Sequence, residues 1–313
     1  MFSFIGNLFN ALIAQPIFNL LIIILAFIPG HNFGVAIIIF TLIVRTAMYP
    51  LLRKQLHNAI AMKKLQPEMK KIKKAAAGDK QKESQLMMEL YKEKGVNPFS
   101  SIGIIFVQLP ILIALYQGIT KIVKDPNAIV NNAYSWVQNL PYMEQLANNI
   151  KSFDETLVGF INLAQPALGP NGLYIPAMVL VIGSVVVQYF QSKQLMLTSK
   201  EQRGLKQIFK DSAAGKEVDQ AEIQAATSRF TLYFIPIIIF VVSVNLPSAL
   251  SLYWLVGGLV ALAQQTYILR KDGEEMVAIV EGEPAEAEII APAKPKKKKT
   301  SGSSKKKSSK KRR

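Results

Sequence analysis

The chain of 313 residues is half hydrophobic, carries a formal charge of +16 and contains no cysteine. Disulfides, thiol catalysis and thiolate metal sites are therefore excluded, and two histidines far apart in character, His31 and His57, are a poor basis for a metal or acid–base centre. The apolar residues come in blocks long enough to cross a bilayer, which takes about 20 residues each, so the composition describes a membrane protein rather than one large soluble domain.

Met1 to Val44 contains no Asp, Glu, Lys or Arg. It lacks the basic start and the small-residue cleavage site of a secretory signal, so it reads as a retained segment. Its first apolar block, 11–29, is interrupted by Pro16 and Asn19. Two placements are open for residues 1–32, an interfacial helix along the outer surface or an additional span. The turn Pro29-Gly30-His31-Asn32 closes the block and a second follows at 33–52.

Inside that second block stands Arg45. By helix rise it lies about 18 Å from the outer end of the span, near the midplane. An arginine there costs about 2.5–3.5 kcal/mol on insertion scales. Residues 53–94 follow with 12 basic and 5 acidic side chains and read as a cytoplasmic helical hairpin. Leu65, Met69 and Ile72 share one apolar face, and Leu86 and Leu90, with neighbouring Met87 and Tyr91, share another. Gly78 stops the first arm, Asp79 caps the second and Pro67 kinks the first.

Further spans are expected at about 102–120, 173–191, 230–246 and 251–269. The loop 121–172 carries 3 basic and 4 acidic residues, 193–229 carries 7 and 5, and 270–313 carries 14 and 7. By the positive-inside rule, 53–94, 193–229 and the C-terminal tail are cytoplasmic and 121–172 is outside. Parity then gives five spans, with 230–246 and 251–269 joined by a tight outer turn at Asn245–Ser248. The tail 271–313 passes from an acidic linker into KPKKKKTSGSSKKKSSKKRR and reads as disordered. Its charge suits either anionic lipid or ribosomal RNA phosphate.

Arg45 is the only charged residue in any of these apolar blocks. With no resident acid to pair with, its compensation must come from water, carbonyls or neutral side chains. Thr41, Gln108, Gln117, Gln188, Gln191, Ser243, Asn245, Gln264 and Gln265 are available. Singly, such residues are commonly interhelical hydrogen bonds. Together with an unpaired arginine they describe a hydrated cavity.

The runs GVAIIIFTLIVRTAMYPLLRKQ, MKKLQPEMKKIKK and MMELYKEKGVNPFSSIGIIFVQLPILIALYQGI resemble the YidC/Oxa1/Alb3 family of membrane protein insertases. GLYIPAMVLVIGSVVVQYFQSKQ and FIPIIIFVVSVNLPSALSLYWLVGGLVALAQQ are similar to its later spans, so the likeness covers about 16–270. The resemblance implies an all-α integral membrane protein. Its five-transmembrane-helix core occupies 33–270 around a hydrophilic groove, with a cytoplasmic hairpin and a disordered basic tail. It favours the interfacial placement of 11–29, although this block is more apolar than the family's amphipathic outer helix. Leu109 and Ile111 stand where many members have methionine.

The resemblance places the groove at Arg45, Gln108 and Gln188, with Tyr253 and Trp254 beside them, and Thr41 one turn before the arginine completes the candidate set. It implies nascent membrane proteins and the lipid bilayer as partners. The ribosome, through tail and hairpin, and the general secretion translocon are further candidates. No cofactor, metal or catalytic residue is implied, and the layout is the short one without a large periplasmic domain. The expected location is the bacterial inner or plasma membrane, with the C-terminus cytoplasmic.

Two readings compete. A small transporter or channel would use Arg45 as counter-ion for an anionic solute, but the sequence shows no inverted repeat or paired broken helices. A membrane scaffold would depend on 291–313 and not on Arg45. An enzyme is disfavoured, since the spans carry no nucleophile–base or metal constellation.

Overall fold

The computed structural model describes residues 2–97, 100–170, 172–195, 210 and 220–281. Its N-terminal apolar run forms α1 (Phe2–Phe9), a π-helical turn (Asn10–Ala14) and α2 (Gln15–Phe27). Pro16 explains the irregular turn: it has no N–H to give, and its ring crowds the carbonyl four residues earlier. Phe4–Phe27 is long and apolar enough to cross a membrane.

The chain turns through Gly30 and His31, both at positive φ. Asn32 then opens α3 (Phe33–Ala47), its side chain accepting a hydrogen bond from Val35 N at 3.1 Å. The apolar block 33–52 is not one straight helix. α3 stops at Ala47, and α4 (Tyr49–Ala76) leaves with a bend of 54°. Pro50 is the reason, because it cannot donate to the carbonyl of Thr46 and fits only the first turn of a new helix. The bend falls three residues after Arg45.

α4 continues through Pro67 as one helix and ends at Ala77, in the left-handed region at φ +50°, with Gly78 following at +89°. Asp79 accepts from Gln81 N and Lys82 N at 3.0 and 3.1 Å and so starts α5 (Lys80–Glu93). Leu65 and Met69 on α4 meet Met87 and Leu90 on α5 in a small buried cluster, with Ile72, Tyr91 and Val96 around it.

α6 (Ser100–Lys124) leads into a folded segment of three short helices, α7 (Ala128–Asn131), α8 (Ser135–Gln138) and α9 (Pro141–Asn148). Two small antiparallel hairpins follow, β1 (Thr156–Leu157) with β2 (Ile161–Asn162), and β3 (Leu168–Gly169) with β4 (Gly172–Leu173). α10 (Ile175–Leu195), α11 (Gln220–Ser243) and α12 (Ser248–Glu281) complete the described chain. Ile175–Gln194 and Ser248–Lys271 meet the length and hydropathy of spans, and the apolar part of α11, Arg229–Ser243, is shorter. The last helix runs past the expected end of its span and into the stretch read as an acidic linker. The basic tail from 282 onward and most of 193–229 lie outside the described residues.

Segment 125–174 binds helix ends together. Phe33 N, at the start of α3, donates to Asp154 O at 3.1 Å, while Ser248 N and Ala249 N, at the start of α12, donate to Gln165 O and Leu163 O at 3.0 Å each. Leu168 N takes the carbonyl of Val244, just past the end of α11, at 2.7 Å. Helix termini leave such groups without intrahelical partners, and here the loop supplies them. Beneath it Phe33, Phe40, Leu115, Ile119 and Tyr253 share one buried cluster built from α2, α3, α6 and α12. At the other end of the bundle, Leu52 and Leu56 of α4 pack on Ile268 of α12.

Candidate functional site

Arg45 lies in the last turn of α3, facing α12. Its neighbour there is Gly257, which has no side chain. A Cβ at that position would sit 3.1 Å from Nη2 and 3.2 Å from Nε of Arg45, and 3.4 Å from the methyl of Thr41. The guanidinium thus packs directly on the glycine, and even a methyl at 257 would make it give by a few tenths of an ångström. Two turns beyond, the Gln264 amide donates to the backbone carbonyl of Arg45 at 3.2 Å and holds the end of α3 on the same helix face. The Nε of Arg45 is buried and has no hydrogen-bond partner among the described residues, and no carboxylate pairs with the side chain there.

Tyr253 lies one turn before Gly257 on α12 and is buried. Its hydroxyl accepts from the Gln108 amide of α6 at 3.0 Å. Gln108, Tyr253, Gly257 and Arg45 therefore form a continuous row joining α6, α12 and α3. Ser251 Oγ, Gln264 Oε1 and Gln265 Oε1 are buried without protein partners among the described residues.

The remaining candidates sit differently. Thr41 reaches Gly257 but turns its hydroxyl onto the Ile37 carbonyl at 2.6 Å, so it presents its methyl to the glycine. Gln188 on α10 donates to Ser192 one turn on at 3.3 Å, and no contact joins it to Arg45 among the described residues. Trp254, a third of a turn from Tyr253, packs against the main apolar cluster. Gln191 makes the close link between α10 and α12, donating to the carbonyl of Gly258 at 2.6 Å.

Reasoning from sequence missed Gly257 and Gly258. Their signal was present as adjacent glycines inside an apolar helix, a composition that lets neighbouring helices approach closely. At Gly258 an added Cβ would come 2.8 Å from Val187 Cγ1, so this pair of glycines brings both α3 and α10 onto α12.

The family model described as 60Kd inner membrane protein matches residues 24–275. Membrane protein insertase YidC of Fusobacterium nucleatum subsp. nucleatum is 33% identical over 261 residues, covering 82% of this chain and 98% of that protein. Membrane protein insertase YidC 2 of Bacillus anthracis is 32% identical over 243 residues, covering 76% and 72%. Membrane protein insertase MisCA of Bacillus subtilis is 30% identical over 254 residues, covering 80% and 75%.

Proposed function

Because this chain belongs to the YidC/Oxa1/Alb3 family, we propose that it is a membrane protein insertase that receives nascent membrane proteins from the cytoplasm and passes them into the bilayer. The path is a hydrated groove between α3, α6, α10 and α12, and no nucleotide is hydrolysed. The observation that carries this reading is Arg45, a half-buried cation whose Nε is buried and which has no acidic partner among the described residues, seated on Gly257 beside the Gln108–Tyr253 pair.

The physical problem is the transfer of a hydrophilic segment across about 30 Å of hydrocarbon, where its polar groups lose water. A polar groove reaching Arg45 shortens the dry path. The guanidinium attracts acidic residues of the translocated segment more strongly than it would in water. Apolar flanks of the substrate then leave sideways into lipid, whose affinity for hydrophobic surface drives the step.

Five crossings by α3, α6, α10, α11 and α12 agree with the charge pattern and with segment 125–174 gathering the ends of α3, α11 and α12 on one side. In this topology that side is extracytoplasmic, the α4–α5 pair is a cytoplasmic hairpin that meets substrates or targeting factors, and the C-terminus is cytoplasmic. The N-terminal helix lies against the outer face. This placement is favoured by Gln15 and Asn19, whose side chains both bond backbone groups of residues 132–134. The ribosome and the secretion translocon are its proposed partners, the first through the basic tail.

Insertion of a single-span substrate with an acidic translocated tail into proteoliposomes tests the reading. Arg45→Lys keeps the charge and retains insertion, whereas Arg45→Ala loses it. Equal loss in both variants would overturn the charge argument.

A further inference from the structure

The first hairpin ends in a tight turn, Leu157-Val158-Gly159-Phe160, closed by Phe160 N donating to Leu157 O at 3.1 Å. Both central residues lie at positive φ, +51° at Val158 and +76° at Gly159. This is the backbone of a type I′ turn, whose first central position strongly prefers Asn, Asp or Gly. A β-branched residue in that conformation costs on the order of 1–3 kcal/mol. Packing within the protein does not compensate, because Val158 is 61% exposed and the neighbouring Phe160 84% exposed.

The base of the same hairpin is built to hold the tip still. Thr156 donates through both N and Oγ1 to Asp154, Asn32 Nδ2 donates to the other Asp154 carboxylate oxygen, and Thr156 Oγ1 accepts from Gly159 N at 2.8 Å. Leu157 is pressed so closely on Gly34 that an added Cβ there would come 2.7 Å from its side chain and 2.8 Å from its Cα. The hairpin is thus clamped to the first turn of α3, level with the end of a membrane-crossing segment. Residues 156–192 contain no charged side chain. Asn162 N donates to Tyr174 OH at 2.9 Å, which joins this hairpin to the second one and to the start of α10. There Leu173 and Ile175 are 58% and 67% exposed and continue into the exposed stripe Val179, Ile182 and Val186 down α10. Exposed apolar side chains therefore stand both along α10 and at the hairpin tip, on elements joined through Tyr174.

We infer that the Val158–Phe160 tip is a fixed membrane anchor that dips into the interfacial region of the surrounding lipid leaflet. The bilayer is the occupant, because the tip continues the surface the bilayer already covers. Val158 in place of Asn or Gly is then understood: its side chain gains in lipid what its backbone conformation costs. The anchor holds segment 125–174, and with it the ends of α3, α11 and α12, at a set height on the membrane. The inference stands apart from the groove mechanism and requires only that the chain is embedded in lipid.

The absence of cysteine allows a direct test. Phe160→Cys and Val158→Cys, each carrying a nitroxide, are reconstituted in phosphatidylcholine–phosphatidylglycerol vesicles, with Lys151→Cys as the water-facing reference and Ile182→Cys as the lipid-facing one. The expected result is a several-fold higher ratio of oxygen to water-soluble nickel-chelate collisions at 158 and 160 than at 151, corresponding to a depth of about 5–10 Å into the headgroup–acyl boundary. That ratio stays constant as the protein is diluted in lipid. Introducing Phe160→Asp should return a label at 158 to the chelate-accessible range. Chelate access at 160 equal to that at 151 overturns the inference. So does protection that vanishes on dilution, which would mean that a second copy of the chain covers the tip.

Discussion

Filling the seat of the arginine is the sharpest perturbation the structure suggests. In Gly257→Ala the new methyl would lie 3.1 and 3.2 Å from two guanidinium nitrogens, so the side chain must retreat by a few tenths of an ångström. In Gly257→Leu the added carbons take the place of the guanidinium itself. Two energies oppose each other. Replacing glycine inside a helix gains up to about 1 kcal/mol of propensity, whereas overfilling a packed site costs about 1–3 kcal/mol. The folded state is therefore little affected by the alanine, and the cost falls on the position of Arg45. At about 1.4 kcal/mol per tenfold, a displacement cost of 1–3 kcal/mol corresponds to roughly 5- to 150-fold. The assay is insertion of paired single-span substrates, one with an acidic and one with a neutral translocated tail, beside thermal unfolding of the purified variants in detergent. Alanine should lower insertion of the acidic substrate several-fold, and leucine should bring it to the level of Arg45→Ala with the neutral substrate much less affected. Combining leucine at 257 with Arg45→Ala should add no further loss, since both changes remove the same interaction. Wild-type insertion of the acidic substrate by a well-folded Gly257→Leu protein would refute the reasoning.

Two further expectations concern the outer face. Asn19 is buried in α2 and accepts from Tyr134 N at 2.7 Å while donating to Gln15 O at 2.9 Å. Asn19→Ala orphans a backbone donor and should lower stability by about 1–3 kcal/mol in thermal or denaturant unfolding, with hydrogen exchange rising first around 132–138. Tyr142 of α9 stacks on His31 with ring centroids 3.8 Å apart, and burial, with the Asp154 charge second, pushes its phenol from the ordinary 10 up to about 12. The folded state thus favours the neutral phenol. Its contribution is complete below pH 10 and lost as pH rises through about 12. Tyr142→Phe should match or slightly exceed the wild type near neutrality, because its buried hydroxyl has no partner among the described residues, and should flatten the fall in melting temperature across that alkaline window.

What the sequence determined by itself is local or compositional. The apolar blocks, the sign of the intervening loops, Asp79 as a cap and the interruption around Pro16 are set by neighbours within a few positions, where backbone hydrogen bonding and side-chain chemistry act directly. Arg45 stood out for the same reason, as a charge among apolar neighbours. Its surroundings were decided only by the tertiary structure. Gly257 lies 212 positions away and matters for the side chain it lacks, and Thr41 spends its hydroxyl on its own helix because a carbonyl four residues back is nearer than any cavity. The bend at Met48 shows both levels at once. Pro50 announces a break, but which way α4 then turns depends on Leu52 and Leu56 finding Ile268 on α12. Likewise nothing in Leu-Val-Gly-Phe indicates a lipid-facing tip until Leu157 is seen clamped on Gly34, since exposure belongs to the assembled surface and not to the residue.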